Sequence, residues 1–231
     1  MTEPILKLTD LDFAYSDKRV FTGLNYTLNQ GDFLSIVGEN GVGKTTLMKL
    51  ILQELKPTGG ELAFLPTRQA VKVGYVPQFR NIDPEYPLCI EDFVGLNFAK
   101  VGLPWLTKKE RQRVTEILAE TKLTPMRKRP LGQASGGEKQ KAYLAQALLD
   151  KPNLLILDES TASLDPVAKT ELLDLVKQLN EDLALTVIFV THDIPLARRY
   201  ANKYLFLTPG NYEADDITAL TDEKVGRMRN V

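Results

Sequence analysis

Hydrophobic positions along the chain follow two rhythms. Near the N-terminus they alternate: Leu11, Phe13 and Tyr15 are separated by Asp12 and Ala14, the period of two that marks a half-buried strand. The first 37 residues read as strands, with a turn at "NQGD" (29–32) and a short apolar run, "FLSIV" (33–37), suited to a buried strand. A glycine-rich loop follows. Then Leu47, Leu50, Ile51 and Leu55 take up helical spacing until "KPTGG" stops them. "VKVGYVPQ" (71–78) predicts another strand. From Phe79 to about Asp150 the rhythm is helical, in "LCIEDFVGLNF" and "TKKERQRVTEILAET", which the breaker "VGLPW" separates. Strand and helix then alternate again: "NLLILDE", a helix over Ala168–Asn180, the strand "LTVIFVTHD" and a short mixed element.

This order predicts an α/β fold. A mainly parallel sheet core comprises residues 1–78 and 151–207, with an N-terminal antiparallel β subdomain and an inserted α-helical subdomain at 79–150. Residues 208–231 remain as a C-terminal tail of a single domain. No internal repeat or low-complexity segment interrupts it.

Composition narrows the function. The 29 Lys and Arg against 30 Asp and Glu give a net charge of -1, so no global field draws nucleic acid, and no such partner is expected. No apolar run reaches the roughly 18 residues of a membrane span, and the N-terminus lacks the basic and apolar regions of a signal peptide. Cys89 and His192 are the only residues of their types, too few soft ligands for a zinc site. A lone cysteine also favours a reducing compartment.

Two stretches carry chemistry. "GENGVGKT" (Gly38–Thr45) has a strand before it and a helix after it, the context that gives the G-x-x-x-x-G-K-[ST] pattern its meaning. Gly38, Gly41 and Gly43 let backbone N–H groups face phosphate oxygens; Lys44 should reach the β- and γ-phosphates, and Thr45 should place its hydroxyl on Mg²⁺. Asp158, at the end of "LLILD", matches the acid that helps hold that ion. Glu159 reads either as a general base or water-orienting carboxylate, or as an exposed acid at a helix start.

The second stretch is "ASGGEKQK" (Ala134–Lys141). Ser135 and Glu138 form a capping box. Gly136 and Gly137 at the first helical positions cost about 1 kcal/mol each relative to alanine. They suggest bare backbone kept for an anion, yet no lysine accompanies them. The cluster "RKR" (127–129) reads as solvated surface or subdomain packing.

"GENGVGKTT", Gln78 after a strand, "ASGGEKQK", "LLILDE", "ASLD" and "VTHD" occur in this order, and together they resemble the nucleotide-binding domain of ABC transporters from about Leu6 to Leu207. The resemblance implies ATP hydrolysis with Mg²⁺. ATP would lie on Gly38, Glu39, Asn40, Gly41, Val42, Gly43, Lys44, Thr45 and Thr46, with Tyr15 stacked on adenine unless that tyrosine is simply core-facing. Glu159, His192 and Gln78 would be catalytic, and Thr45, Gln78 and Asp158 would hold the metal. Ser135, Gly136, Gly137 and Glu138 would contact ATP on a second nucleotide-binding domain, and Asp165 would be the D-loop aspartate. His192 could also be merely structural.

Departures from the family pattern are Ala134 for Leu, Glu138 for Gln, which could bring negative charge near the ATP, and Ser160 where proline is common. The implied partners are a second nucleotide-binding domain, identical or related, a separate integral membrane permease and a solute-binding protein, with the chain peripheral on the inner face of the cell membrane. "YVPQ" (75–78) and "DPEYPLCIEDFV" (83–94) resemble the zinc and manganese uptake branch. The segment 79–94 would help form the permease's docking groove. The alternative is a soluble ABC-type mechanochemical ATPase acting on nucleic acid, ribosomes or cofactor assembly.

Overall fold

The computed structural model describes residues 3–16, 18–78, 82–98, 106–161 and 164–229. The breaker at 101–105, Phe79–Asn81 of the docking segment, and Ala162 and Ser163 lie outside them.

Two sheets form the protein. β1 (Pro4–Tyr15) and β2 (Lys18–Asn29) make a hairpin, and β4 (Gly59–Phe64) joins β1, giving an antiparallel sheet of order β2-β1-β4. The larger sheet has order β5-β6-β7-β3-β8-β9, from β3 (Phe33–Gly38), β5 (Val73–Val76), β6 (Leu154–Asp158), β7 (Thr186–Thr191), β8 (Lys203–Thr208) and β9 (Asn211–Asp216). All its pairings are parallel except β8 with β9.

The middle strands β3, β6 and β7 are mostly apolar and buried at every position because both faces are covered. Leu155 and Leu157 of β6, with Val187 and Phe189 of β7, pack under the helical subdomain and α5 (Pro166–Leu183). The residues between them, Leu154, Ile156, Ile188 and Val190, face the antiparallel sheet and α1 (Lys44–Ile51). The helical subdomain consists of α2 (Ile90–Gly95), α3 (Lys108–Glu120) and α4 (Gly136–Leu148).

Helix ends depart from the periodicity. Helical spacing ran to Leu55, but α1 stops at Ile51. Gln53 takes a left-handed conformation (φ 62°), its N–H meets Leu50 O, and the Glu54 N–H meets Lys49 O. That is a Schellman closure, and it lets Leu55 pack beside the antiparallel sheet. α5 starts at Pro166 rather than Ala168. Asp165 caps it, accepting from the N–H groups of Val167 and Ala168 at 3.0 Å each. The strand β4 was not anticipated, nor were β9 and α7 (Asp222–Arg229) in the expected tail. β9 is one of the two edge strands of the large sheet. α6 (Ile194–Tyr200) and the tail share a small apolar cluster through Ile194, Ala197, Leu220 and Val225.

One buried polar side chain ties this frame together. Asn180 of α5 donates to Gly31 O (2.9 Å), in the turn before β3, and to Leu185 O (2.7 Å), just before β7. Asn180→Leu would leave both carbonyls without that donor. It should lower unfolding free energy by about 1–3 kcal/mol for each one left buried and unpaired. Urea unfolding measures this, and an unchanged midpoint would exclude the bracing role.

Candidate nucleotide site

The candidate site forms where β3, β6 and β7 end together. In open α/β sheets, ligands bind beyond the carboxyl ends of the strands where the connections change direction. Here the chain leaves β3 into the glycine loop, leaves β6 through Asp158 and Glu159, and leaves β7 at Thr191.

The loop has little freedom. Gly43 has φ 113°, and a Cβ there would lie 2.6 Å from Val20 Cγ1 and 2.9 Å from Phe21 Cζ. Only glycine meets both the handedness and the space. Lys44 begins α1, and its side chain folds back into the loop. Its ammonium donates to Gly38 O and Glu39 O, each at 2.8 Å, and lies 3.6 Å from Glu159 Oε1. Only 5% of that side chain is exposed, so the charge depends on these partners.

Glu159 is strained. Its φ is 44°, unusual for a residue with a Cβ, and its N–H is held by Val190 O at 3.1 Å. Strain of this kind costs about 1–3 kcal/mol and collects at functional sites. Asp158 beside it is buried and accepts from the Tyr75 hydroxyl at 3.1 Å. Burial pushes the Asp158 carboxyl above the usual range and the nearby Glu159 charge adds to this, while the Tyr75 hydrogen bond and Lys44 oppose it. Tyr75 opens the "YVPQ" stretch, but nothing in that stretch or in the alternation of β5 tied it to Asp158, 83 residues away.

A cleft of about 370 Å³ joins these groups. Tyr15, Asn40, Gly41, Gly43, Lys44, Thr45, Thr46, Gln78, Asp158 and Glu159 line it, as do Lys18 and Val20, which sequence reasoning had passed over. Tyr15 is 45% exposed and not core-facing. Its ring meets Phe13 edge-on at 4.9 Å, and its hydroxyl lies 3.4 Å from Thr46 Oγ1. Gly38, Glu39 and Val42 belong to the loop but do not line the cleft, and Val42 is packed into the core. His192 is exposed at the end of β7 and also lies outside the lining.

Ser135, Gly136, Gly137, Glu138 and Asp165 lie outside the cleft as well. The capping box forms in both directions: Ser135 Oγ accepts from the Glu138 N–H (3.2 Å), and Glu138 Oε2 accepts from the Ser135 N–H (2.8 Å). The two glycines have a reason inside the chain. A Cβ on Gly137 would lie 3.0 Å from the Cβ of Ala168 on α5, and one on Gly136 would lie 3.3 Å from Leu164 Cδ2. Close helix packing therefore contributes to a choice that the sequence had suggested was made for an anion. The basic cluster is not simply solvated: Arg127 and Lys128 pair with Glu91, and Arg129 pairs with Glu138.

A backbone cradle opening a helix at the sheet's switch point, with an ammonium and two carboxylates turned into one cleft, defines a P-loop nucleotide-binding protein. Comparison with known proteins narrows the class. The model of the ABC transporter family matches residues 21–162, more than half of the sequence, and the chain belongs to that family. The zinc import ATP-binding protein ZnuC of Hydrogenovibrio crunogenus is 32% identical over 208 residues, covering 89% of this chain and 80% of that protein. A structure described as an inward-facing ABC transporter of metal-chelate type superposes with a TM-score of 0.89 at 28% identity, over 99% of this chain and 90% of that one. A dimeric ATP-binding cassette bound to ADP and phosphate gives a TM-score of 0.73 at 26% identity, over 92% and 99%. Among the described residues no helix is long and apolar enough to cross a membrane.

Tyr75→Phe removes a hydrogen bond that stabilises the charged form of Asp158. The Asp158 titration midpoint should move to still higher pH, followed by the carboxyl carbon resonance in NMR. A midpoint that fell or stayed in place would show that this hydrogen bond does not tune the carboxylate.

Proposed function

We propose that this chain is the ATP-hydrolysing subunit that energises uptake of a divalent metal, zinc or manganese, through a separate membrane-embedded permease. The observation that carries the reading is how the motifs divide. One cleft collects Tyr15, the glycine loop, Gln78, Asp158 and Glu159, while the capped end of α4 lies outside it. A site split in this way is completed by a second copy, each chain presenting Ser135–Glu138 to ATP held by the other. The metal assignment draws on the zinc importer and the metal-chelate transporter among the similar proteins. Those relatives also favour transport over a soluble mechanochemical role.

The residues then take these parts. Tyr15 offers an exposed ring to adenine. Lys44 exchanges its carbonyl partners for β- and γ-phosphate oxygens, because a charged oxygen is the stronger acceptor. Thr45, Gln78 and Asp158 offer only oxygen ligands, a set that suits Mg²⁺. That ion, when bound, neutralises charge on the phosphates. Glu159 orients the attacking water, His192 contacts the γ-phosphate as the dimer closes, and Asp165 lies at the dimer seam. Residues 79–150 act as a lever between the permease and the sheet core of 1–78 and 151–207, with 208–231 appended to that core. The assembly sits on the inner face of the membrane, where a solute-binding protein on the far side can supply the metal.

Glu159→Gln keeps the shape of the side chain without its charge. Turnover should fall by about 10²- to 10⁴-fold, with ATP binding retained and a closed dimer accumulating on size-exclusion chromatography. Unchanged turnover would refute the role given to Glu159. Lys44→Ala should abolish high-affinity ATP binding by calorimetry and should also abolish zinc or manganese accumulation in cells that depend on this chain. Copurification with an integral membrane protein supports the reading; ATPase activity stimulated instead by ribosomes or DNA would overturn it.

A further inference from the structure

Glu138 puts a carboxylate where the general family pattern has a neutral Gln. It occupies the third position of α4, at the helix end that the proposed function turns toward a second chain's phosphates. A carboxylate suits a helix N-terminus, but it repels an arriving polyphosphate. Glu138 is also not free to shed its charge. Burial raises its pKa, yet the Ser135 N–H and the Arg129 guanidinium outweigh burial and hold the carboxyl below the usual range.

Arg129 answers that charge. Its Nη1 donates to both Glu138 Oε1 and Glu138 Oε2, each at 2.9 Å. The Arg129 backbone is anchored as well: its N–H meets Met126 O at 2.8 Å, and its carbonyl accepts from the Ile90 N–H at 3.1 Å, at the start of α2. A fixed backbone and a carboxylate held by the capping box leave the pair little freedom to part. Surface ion pairs usually contribute under about 1 kcal/mol to stability, so folding alone gives weak reason for this one. It does offset the Glu138 charge at the half-buried helix end.

We propose that Arg129 is a positioning residue of the ATP-contacting helix end: by pairing with Glu138 it neutralises the carboxylate and keeps the end of α4 receptive to the phosphates of a nucleotide bound on a second copy. This rests on the split-site reading above. In this chain the charge that Glu138 introduces is cancelled from within rather than carried to the dimer seam.

The test uses the full chain carrying Glu159→Gln and reads the ATP concentration for half-maximal dimerisation by sedimentation, at low and high salt. Adding Arg129→Met should raise that concentration about tenfold at low salt, and less at high salt where screening shortens the repulsion. Arg129→Lys should recover most of the loss. Combining Arg129→Met with Glu138→Gln should return the value toward the parent's, because no charge is left to cancel. Three results would overturn the proposal: no effect of Arg129→Met, a loss that persists with Glu138→Gln, or a loss that ignores salt. ATP affinity measured at chain concentrations below dimerisation is the control, and a parallel loss there would also overturn it. Should Arg129→Met fail to fold, Arg129→Gln replaces it in the same comparison. A parent chain that never dimerises with ATP would defeat the split-site reading itself, an outcome distinct from the others.

Discussion

An ammonium ion buried at the end of a parallel sheet must find partners, and the satisfaction of Lys44 organises the rest of the site. Left in apolar surroundings, such a charge would cost more than a domain's whole stability or would be lost by deprotonation. The loop curls so that Gly38 and Glu39 turn their carbonyls onto the ammonium, and Glu159 stands 3.6 Å away. That curl needs a glycine at Gly43, where Val20 and Phe21 of β2 press against the backbone. The antiparallel sheet therefore does more than cover one face of the core. It shapes the phosphate loop from behind and carries Tyr15 and Lys18 to the cleft's rim.

The second half of the arrangement depends on a close approach of helices. α4 lies near enough to α5 that a methyl group on Gly137 would crowd Ala168 at 3.0 Å, and Lys141 of α4 pairs with Glu171 of α5 at 2.7 Å. On its inner side Gln140 donates to Pro77 O at 3.4 Å, one residue before Gln78. The helix whose capped end faces outward is thus tied to the segment that carries Gln78 into the cleft. The bare backbone at Gly136 and Gly137 serves the interior, where Leu164 and Ala168 approach it.

Much of this was legible because it is local. A loop between a strand and a helix, an apolar run ending in two acids, and a Ser–Glu pair three residues apart each complete their pattern within a dozen residues. The capping box is the clearest case, since both of its hydrogen bonds are written into the spacing. Helix ends were less legible, because Gln53 takes a left-handed turn that its side chain does not advertise. β9 was missed because its burial is partial and its partner β8 supplies the register.

The sequence by itself determined the alternation of strand and helix around the site, the phosphate loop and its lysine, the acid pair and the capped glycine helix, but not β4, β9 or α7. Side-chain period and short-range hydrogen bonding act over one or two turns, and a single chain records them directly. Tertiary structure alone decided that Tyr75 would meet Asp158 across 83 residues, that Arg129 would pair with Glu138, and that the expected tail would supply one of the sheet's two edge strands. Those contacts depend on how separate elements are brought together, and the energy of each is realised only after the chain between them has been ordered.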